Sequence, residues 1–171
     1  MRSSGLPLTY PSGTSLKILF VCTGNTCRSP LAEAIARREA IARGLSDVDV
    51  ASAGTSARPE MPASDGSLLV ALEAGIDLSL HRAQQLTREL IDSHDLVLTM
   101  GPHHLESVQA LGGEAKGHLL TAYAARASTG PAVNDPIGAE LEVYRDTFRE
   151  LEREIRRVFD RLVAERTTSG R

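Results

Sequence analysis

Short apolar runs alternate along the chain with longer segments whose apolar residues recur at helical spacing. The short runs have strand length and predict β-strands at 16–21, 48–53, 95–100 and 116–120. The intervening segments predict helices at 31–43, 64–74, 87–91, 102–111 and 140–166. Because strands and helices alternate, the pattern favours an α/β fold built on a parallel sheet.

The last helix carries an apolar stripe that predicts a core-facing side, formed by Leu141, Tyr144, Phe148, Leu151, Ile155, Val158, Phe159 and Leu162. Before it, residues 121–139 are rich in glycine and proline and predict a long connection, a kind of loop that often carries function. Residues 1–15 lack apolar periodicity and predict a flexible tail. A single domain is therefore expected at 16–166, with a disordered tail at 167–171.

The segment between the first strand and the first helix has the composition of an anion-binding loop. Gly24 and Asn25 readily adopt positive φ, so the chain can coil and aim successive backbone N–H groups at one point. The helix that follows adds its positive end, and Arg28 adds a fork of donors suited to a tetrahedral oxyanion. Cys22 lies at the foot of this loop, where the same donors favour a thiolate. The predicted phosphate-binding residues are Thr23, Gly24, Asn25, Thr26, Cys27, Arg28 and Ser29.

Other interpretations of the two cysteines are open at this point. A cysteine at the end of a core strand is often inert packing, and two cysteines five residues apart also occur by chance or as half of a metal site. The context favours a Cys-x5-Arg phosphate loop, because the motif follows a strand, contains Gly-Asn and opens a helix. Cys22 is then the predicted nucleophile, attacking phosphorus to form a thiophosphate intermediate.

Residues 21–30, Val-Cys-Thr-Gly-Asn-Thr-Cys-Arg-Ser-Pro, resemble the signature of the low-molecular-weight protein tyrosine phosphatase family. The stretches Ser52-Ala-Gly-Thr55, 75–87 and Asp135-Pro136 resemble later motifs of that family, in the same order. The resemblance runs from about residue 16 to the last helix. It implies a single-domain, three-layer fold with a four-stranded parallel sheet of flavodoxin-like pattern.

The resemblance also implies roles for individual side chains. Asn134-Asp135-Pro136 is a common turn sequence, but the family's general acid occupies a matching Asp-Pro, which makes Asp135 the expected acid. Ser29 matches a serine that stabilises the nucleophile, although a plain helix cap is the alternative. Asn25 is expected to hold the loop in shape, with Ser52 among its partners. In related phosphatases a cysteine placed like Cys27 forms a reversible disulfide with the nucleophile, here Cys22.

Two positions bear on the substrate. Thr26 resembles the threonine of bacterial protein-arginine phosphatases, where tyrosine-specific members carry a bulky apolar residue. Ile137 stands just after the Asp-Pro, where both groups carry an aromatic residue. Phosphoarginine on a protein or peptide is therefore the expected substrate, with phosphotyrosine as the alternative. An arsenate reductase would need further cysteines, and a non-catalytic phosphate-binding module would not need Cys22, Arg28, Ser29 and Asp135 together.

Composition and charge bear on the partners and the cellular location of the protein. The net charge of −3 gives no reason to expect nucleic acid as a partner, and no apolar run approaches the ~20 residues that span a membrane. The N-terminal residues lack an apolar signal core, and both cysteines lie in the candidate site, so a cytoplasmic location is expected. The expected oligomeric state is a monomer or weak dimer. No cofactor or metal is expected. His103 and His104 are predicted to be surface residues, and His81-Arg82 to brace the site.

Overall fold

The computed structural model describes residues 15–169. Its strands are β1 (Leu16–Cys22), β2 (Val48–Gly54), β3 (Leu96–Thr99) and β4 (Gly117–Leu119). Its helices are α1 (Arg28–Ala42), α2 (Asp65–Glu73), α3 (Arg88–Asp92), α4 (Pro102–Ala110), α5 (Leu120–Ala125) and α6 (Leu141–Ser169). The tail predicted at 1–15 lies outside the described residues, apart from Ser15, whose hydroxyl donates to Asp49 over 2.7 Å.

The four strands form one parallel sheet in the order β2-β1-β3-β4, which confirms the predicted parallel α/β fold. β1 is central, and its last residue, Cys22, pairs in register with Gly54 at the end of β2. The chain moves from β1 to one side and then returns to the other side, so the order reverses beside β1. Ligands of such sheets bind beyond the strand C-termini at this reversal.

Side chains of β1 alternate between two cores, as the two-residue period of a strand requires. Ile18 and Phe20 lie in the larger core, which also contains buried residues of α1 and α6. Leu19 and Val21 lie in the smaller core with Ile91 of α3 and Val108 of α4. Helices therefore cover both faces, giving the three layers that the resemblance implies. The apolar stripe of α6 faces the larger core, as predicted.

Local capping signals set several helix starts. Ser64 accepts a hydrogen bond from Ser67 N–H at the start of α2, and Thr87 accepts one from Leu90 N–H at the start of α3, where the helices predicted at 64–74 and 87–91 begin. Pro102 opens α4 at the position where its missing N–H costs nothing.

Two predictions about the C-terminal third are wrong. The connection expected at 121–139 begins with α5, which is almost entirely buried and therefore lacks the polar face that marks a surface helix. The disordered tail expected from residue 167 is also wrong for 167–169, because α6 continues to Ser169. There the hydroxyls of Thr167 and Thr168 donate to backbone carbonyls one turn earlier. Within 15–169, no helix combines the length and apolarity needed to cross a bilayer.

Candidate active site

Residues 23–27, between β1 and α1, form a loop whose backbone carbonyls are bonded outward. Four carbonyl oxygens accept hydrogen bonds from the surroundings: Cys22 from Thr55 N–H (2.9 Å), Thr23 from Ser56 N–H (2.9 Å), Asn25 from His81 Nε2–H (2.7 Å) and Thr26 from Ser64 N–H (2.9 Å). All peptide bonds of the described chain are trans, so each N–H points opposite to the carbonyl of its own peptide unit. The N–H groups of residues 23, 24, 26 and 27 therefore point into the loop, which is the geometry of an anion nest.

Asn25 holds this loop in its coiled shape. Its φ of 56° lies in the left-handed region, as predicted, whereas Gly24 is not in that region and the prediction for it is wrong. The Asn25 side chain is fully buried and donates from Nδ2 to Ser29 Oγ (2.8 Å) and to Ser52 Oγ (2.9 Å). Its Oδ1 accepts from Gln84 N–H at 3.0 Å, so every polar atom of the amide is used to hold the loop.

Cys22 ends β1 directly below the loop, and its side chain is buried. Its Sγ lies 2.9 Å from Ser29 Oγ. Asn25 donates to that oxygen, and when Cys22 is a thiolate, which has no hydrogen to donate, the Ser29 hydroxyl is the donor to sulfur; the Ala53 carbonyl is a longer alternative acceptor at 3.5 Å. Ser29 lies inside α1 and is not its N-cap, a position that Cys27 occupies without a side-chain cap. The contact of Ser29 with Cys22 is therefore the role that the geometry supports.

Arg28 connects the loop with the distant Asp135. Its guanidinium is buried, donates from Nη1 to the Val133 carbonyl (3.1 Å), and places Nη2 3.4 Å from Asp135 Oδ2. Val133 is itself held by a 2.8 Å bond from its N–H to the Met100 carbonyl at the end of β3. The long connection is thus drawn over the C-terminal edge of the sheet, and it brings the predicted acid to the predicted phosphate loop.

Asp135 and Ile137 share one turn at the rim of this site. Asp135 Oδ1 accepts from Ile137 N–H at 3.2 Å, while its side chain remains 45% exposed. Ile137 is 68% exposed, although it is large and apolar. The turn therefore presents a carboxylate toward Arg28 and an uncovered aliphatic side chain beside it.

Cys27 and Thr26 lie on the side of the loop that faces α2 and α6. The Cys27 thiol is buried, lies 3.2 Å from Ser64 Oγ and 3.7 Å from the Tyr144 hydroxyl. Burial raises the pKa of Tyr144, so its hydroxyl stays protonated beside the sulfur. Among the described residues, the one polar contact of Thr26 Oγ1 is a weak one with Cys27 Sγ at 3.8 Å. That hydroxyl is therefore available to a ligand.

Two residues belong to the site although the sequence did not assign them a role there. Gly54 lies against the loop, and a Cβ on it would stand 2.4 Å from the Thr23 carbonyl oxygen. His104 is fully buried, and its Nε2 lies 2.8 Å from Thr23 Oγ1, so the prediction that it is a surface residue is wrong. The Ser-Ala-Gly motif at 52–54 could have indicated the role of Gly54 from the sequence, whereas the role of His104 becomes visible only from where α4 packs in the fold. His81 braces the loop as predicted.

The described part of the chain contains no group of three His, Cys, Asp or Glu side chains placed to hold a metal ion. The donors of the site are instead backbone N–H groups, hydroxyls and one guanidinium, which are suited to an anion. A buried sulfur, an inward-facing amide nest and a carboxylate within reach of the guanidinium together fit a tetrahedral phosphoryl group with a leaving group at the rim.

Comparison with known proteins agrees with this geometry. The family model described as low molecular weight phosphotyrosine protein phosphatase matches residues 17–168. A protein-arginine-phosphatase of Bacillus subtilis (strain 168) is 36% identical over 151 residues, which cover 88% of this chain and 99% of the relative.

Two solved structures have the same fold. One is the YwlE arginine phosphatase as a cysteine-to-serine mutant with a phosphorylated active-site serine; it superposes with a TM-score of 0.81 at 37% identity, covering 86% of this chain and 95% of that one. The other is a low molecular weight protein tyrosine phosphatase from T. tengcongensis, with a TM-score of 0.80, 39% identity, and 86% and 99% coverage.

Proposed function

The chain belongs to the low molecular weight phosphotyrosine protein phosphatase family, and on that premise we propose that it hydrolyses phosphoarginine in proteins through a Cys22 thiophosphate. The observation that carries the proposal is the position of Cys22. Its Sγ lies below an inward-facing amide nest and 2.9 Å from the Ser29 hydroxyl, where negative charge on sulfur is stabilised. Arg28 closes the same nest and faces Asp135.

The first step forms one bond and breaks one. The Cys22 thiolate attacks phosphorus, the S–P bond forms, and the P–N bond of phosphoarginine breaks. The leaving guanidine nitrogen takes the proton of the Asp135 carboxylic acid and departs as part of a guanidinium. Arg28 and the amide nest bind the equatorial oxygens throughout, where charge accumulates in the transition state.

The second step restores the enzyme. Water attacks the phosphorus of the thiophosphate, while the Asp135 carboxylate takes a proton from that water. The S–P bond breaks, inorganic phosphate leaves, and the electrons of the bond return to Cys22 as a thiolate held by the Ser29 hydroxyl. The relative with a phosphorylated active-site serine supports a covalent route of this type. The residues present supply this chemistry without a cofactor.

Thr26 supports phosphoarginine as the substrate. Its hydroxyl makes only a 3.8 Å contact with sulfur among the described residues, so it is available to a guanidino nitrogen or to water. The arginine phosphatase of Bacillus subtilis at 36% identity adds to this support. Phosphotyrosine is the second candidate, favoured by the exposed aliphatic side chain of Ile137 on the same turn as Asp135.

The chemistry of the nucleophile bears on where in the cell the protein works. A thiolate that must stay reduced requires a reducing compartment, so the proposed location is the cytoplasm. The proposed working form is a monomer or weak dimer that acts on phosphorylated protein, with neither nucleic acid nor a membrane as partner. The two cysteines of the chain are Cys22 and Cys27, which leaves no further thiol for the electron relay of an arsenate reductase.

Phosphate release is the direct test of the proposal. Wild-type protein is expected to hydrolyse p-nitrophenyl phosphate, and to release phosphate faster from a phosphoarginine peptide than from the matched phosphotyrosine peptide. Cys22→Ser is expected to bind phosphate and to lose turnover, which separates the nucleophile from the binding loop. If wild-type protein binds phosphate but turns over none of these substrates, the chain is a binding module and the proposed hydrolysis is wrong.

A further inference from the structure

His104 is a fully buried side chain placed directly behind the phosphate loop. It belongs to the first turn of α4, and its Nε2 lies 2.8 Å from the hydroxyl oxygen of Thr23. Thr23 is the residue that follows Cys22. Within the described residues, His104 is the hydrogen-bond partner of that hydroxyl, which otherwise faces solvent. A buried imidazole therefore anchors the exposed side chain at the start of the loop.

The surroundings of His104 decide which nitrogen carries its proton. Its Nδ1 is buried and has no hydrogen-bond partner among the described residues. A proton on Nδ1 would leave a buried donor unsatisfied, which costs more than a bare acceptor. The favoured tautomer therefore carries hydrogen on Nε2 and donates it to Thr23 Oγ1.

The charges around the ring favour the neutral form. Burial, followed by the neighbouring His103 and by Arg28, lowers the pKa of His104 to about 4, against a smaller opposite effect of Asp135. A second positive charge there would repel the guanidinium on which the phosphate depends. The neutral ring bonds Thr23 without adding such a charge.

The backbone on both sides of Thr23 forms part of the nest. The carbonyls of Cys22 and Thr23 are bonded outward to Thr55 N–H and Ser56 N–H, so the N–H groups of Thr23 and Gly24 point inward. Those two outward bonds hold the peptide units before and after Thr23 only through their carbonyl oxygens. The bond from His104 holds the Thr23 side chain, which lies between the two peptide units, and so restricts the rotation of both.

We propose that His104 is a positioning residue, which donates a hydrogen bond to Thr23 and thereby holds the first two N–H groups of the phosphate loop in their binding orientation. The inference rests on the proposed phosphatase function but concerns a residue outside the Cys-x5-Arg motif. It assigns His104 no contact with substrate, so its effect on oxyanion binding must pass through the Thr23 hydroxyl.

A double-mutant cycle on inorganic phosphate binding, measured by calorimetry, tests this coupling. Thr23→Val, which removes the hydroxyl from an exposed position, is expected to weaken binding about tenfold, as is His104→Leu. The double variant should bind no more weakly than either single variant, because both remove the same bond. Thr23→Ser and His104→Gln, which keep a hydroxyl and a donor, should recover most of the affinity. His103→Leu, on the same turn, should bind like wild type.

The inference is overturned if Thr23→Val binds phosphate as tightly as wild type, or if the losses of the two single variants multiply in the double variant. If His104→Leu fails to fold, Thr23→Val against Thr23→Ser still decides the question, since neither change removes core volume. Turnover of p-nitrophenyl phosphate by wild-type protein is measured alongside. Absent turnover with an intact binding cycle contradicts the proposed function and leaves the role of His104 standing.

Discussion

Asp135 Oδ2 lies 3.4 Å from Arg28 Nη2, which brings a half-exposed carboxylate to the buried guanidinium that opens α1. The two residues are far apart in the chain. Arg28 is oriented by a second bond, to the Val133 carbonyl just before Asp135, so the turn and the phosphate loop are tied at two points. In the proposed mechanism, this contact would place the carboxylate beside a phosphoryl group bound by Arg28, on the side from which the leaving group departs.

Replacing Asp135 by Asn is expected to lower kcat by about 10²- to 10⁴-fold, because the leaving group then departs without a proton. The loss should be smaller for p-nitrophenyl phosphate than for phenyl phosphate, since p-nitrophenolate leaves without help. Steady-state kinetics on both esters give the comparison. Asp146→Asn, on the exposed face of α6, is the matched control and should keep wild-type rates. Near-normal turnover of phenyl phosphate by Asp135→Asn would remove Asp135 from the mechanism.

Replacing Gly54 by Ala is expected to weaken phosphate binding severely. The new Cβ would lie 2.4 Å from the Thr23 carbonyl oxygen and 2.9 Å from Asn25 N, both backbone atoms that cannot move without deforming the loop. Loss of two aligned N–H donors should weaken binding by about a hundredfold. Thr55→Ala, one residue later, removes a side chain and leaves the backbone bonds, so it serves as the control. Tight phosphate binding by a folded Gly54→Ala variant would contradict the close packing.

Peroxide is expected to inactivate the enzyme reversibly. It oxidises the Cys22 thiolate to a sulfenic acid, Cys27 sulfur then attacks, water leaves, and the resulting disulfide is reduced by dithiothreitol. In Cys27→Ser the sulfenic acid has no thiol beside it and passes to irreversible acids. Activity after peroxide and then dithiothreitol is measured relative to each untreated variant. Equal recovery in Cys27→Ser would show that Cys27 does not protect Cys22.

Replacing Thr26 by Ile is expected to shift preference from phosphoarginine toward phosphotyrosine. The change removes a hydroxyl that is available to a guanidino nitrogen and adds apolar surface for a phenol ring. The ratio of kcat/KM values on matched phosphoarginine and phosphotyrosine peptides measures the shift, expected to be at least about tenfold. Thr26→Val, which lacks the hydroxyl but adds little surface, separates the two effects. An unchanged ratio in both variants would refute the role of Thr26 in specificity.

The stability of the fold is expected to depend on pH through His104. Its pKa is lowered by burial to about 4 from an ordinary value of 6.5, so between these values the unfolded chain binds a proton that the folded protein does not. This contribution to the free energy of unfolding is complete above pH 6.5 and is lost as pH falls toward 4, by up to about 3 kcal/mol. Urea unfolding at pH 7 and pH 4.5 should therefore show a larger loss in wild type than in His104→Gln.

His103→Gln tests the neighbouring, exposed histidine. It should lose only slightly less stability on acidification than wild type, because His103 lowers the pKa of His104 less than burial does. The lowered pKa of His118, which also follows from burial, is common to all three proteins and cancels in the comparison. If His104→Gln and wild type lose the same stability between the two pH values, His104 titrates normally in the folded state.

The local sequence patterns determined most of the helices and strands, and the loop that carries Cys22 and Arg28. Apolar runs fixed the four strands, hydroxyls at Ser64 and Thr87 marked two helix starts, and the Cys-x5-Arg spacing placed a sulfur and a guanidinium on one loop. These features depend on neighbouring residues, since strand period, capping and loop geometry are set within a few positions. The sequence did not predict α5, because a short and almost entirely buried helix has no polar face and therefore no helical period in its apolar residues.

The tertiary structure decided which distant groups meet at that loop; the family resemblance indicated Asp135, but the local patterns of this chain did not. Asp135 reaches Arg28 because Val133 is bonded to the end of β3, and His104 is buried because α4 packs behind Thr23. A histidine in a polar helix turn has the same local signature whether it faces water or a loop from another part of the chain. Such contacts join residues far apart in the chain, and their energies depend on how the sheet is assembled. A local period or spacing in the sequence therefore cannot predict these contacts.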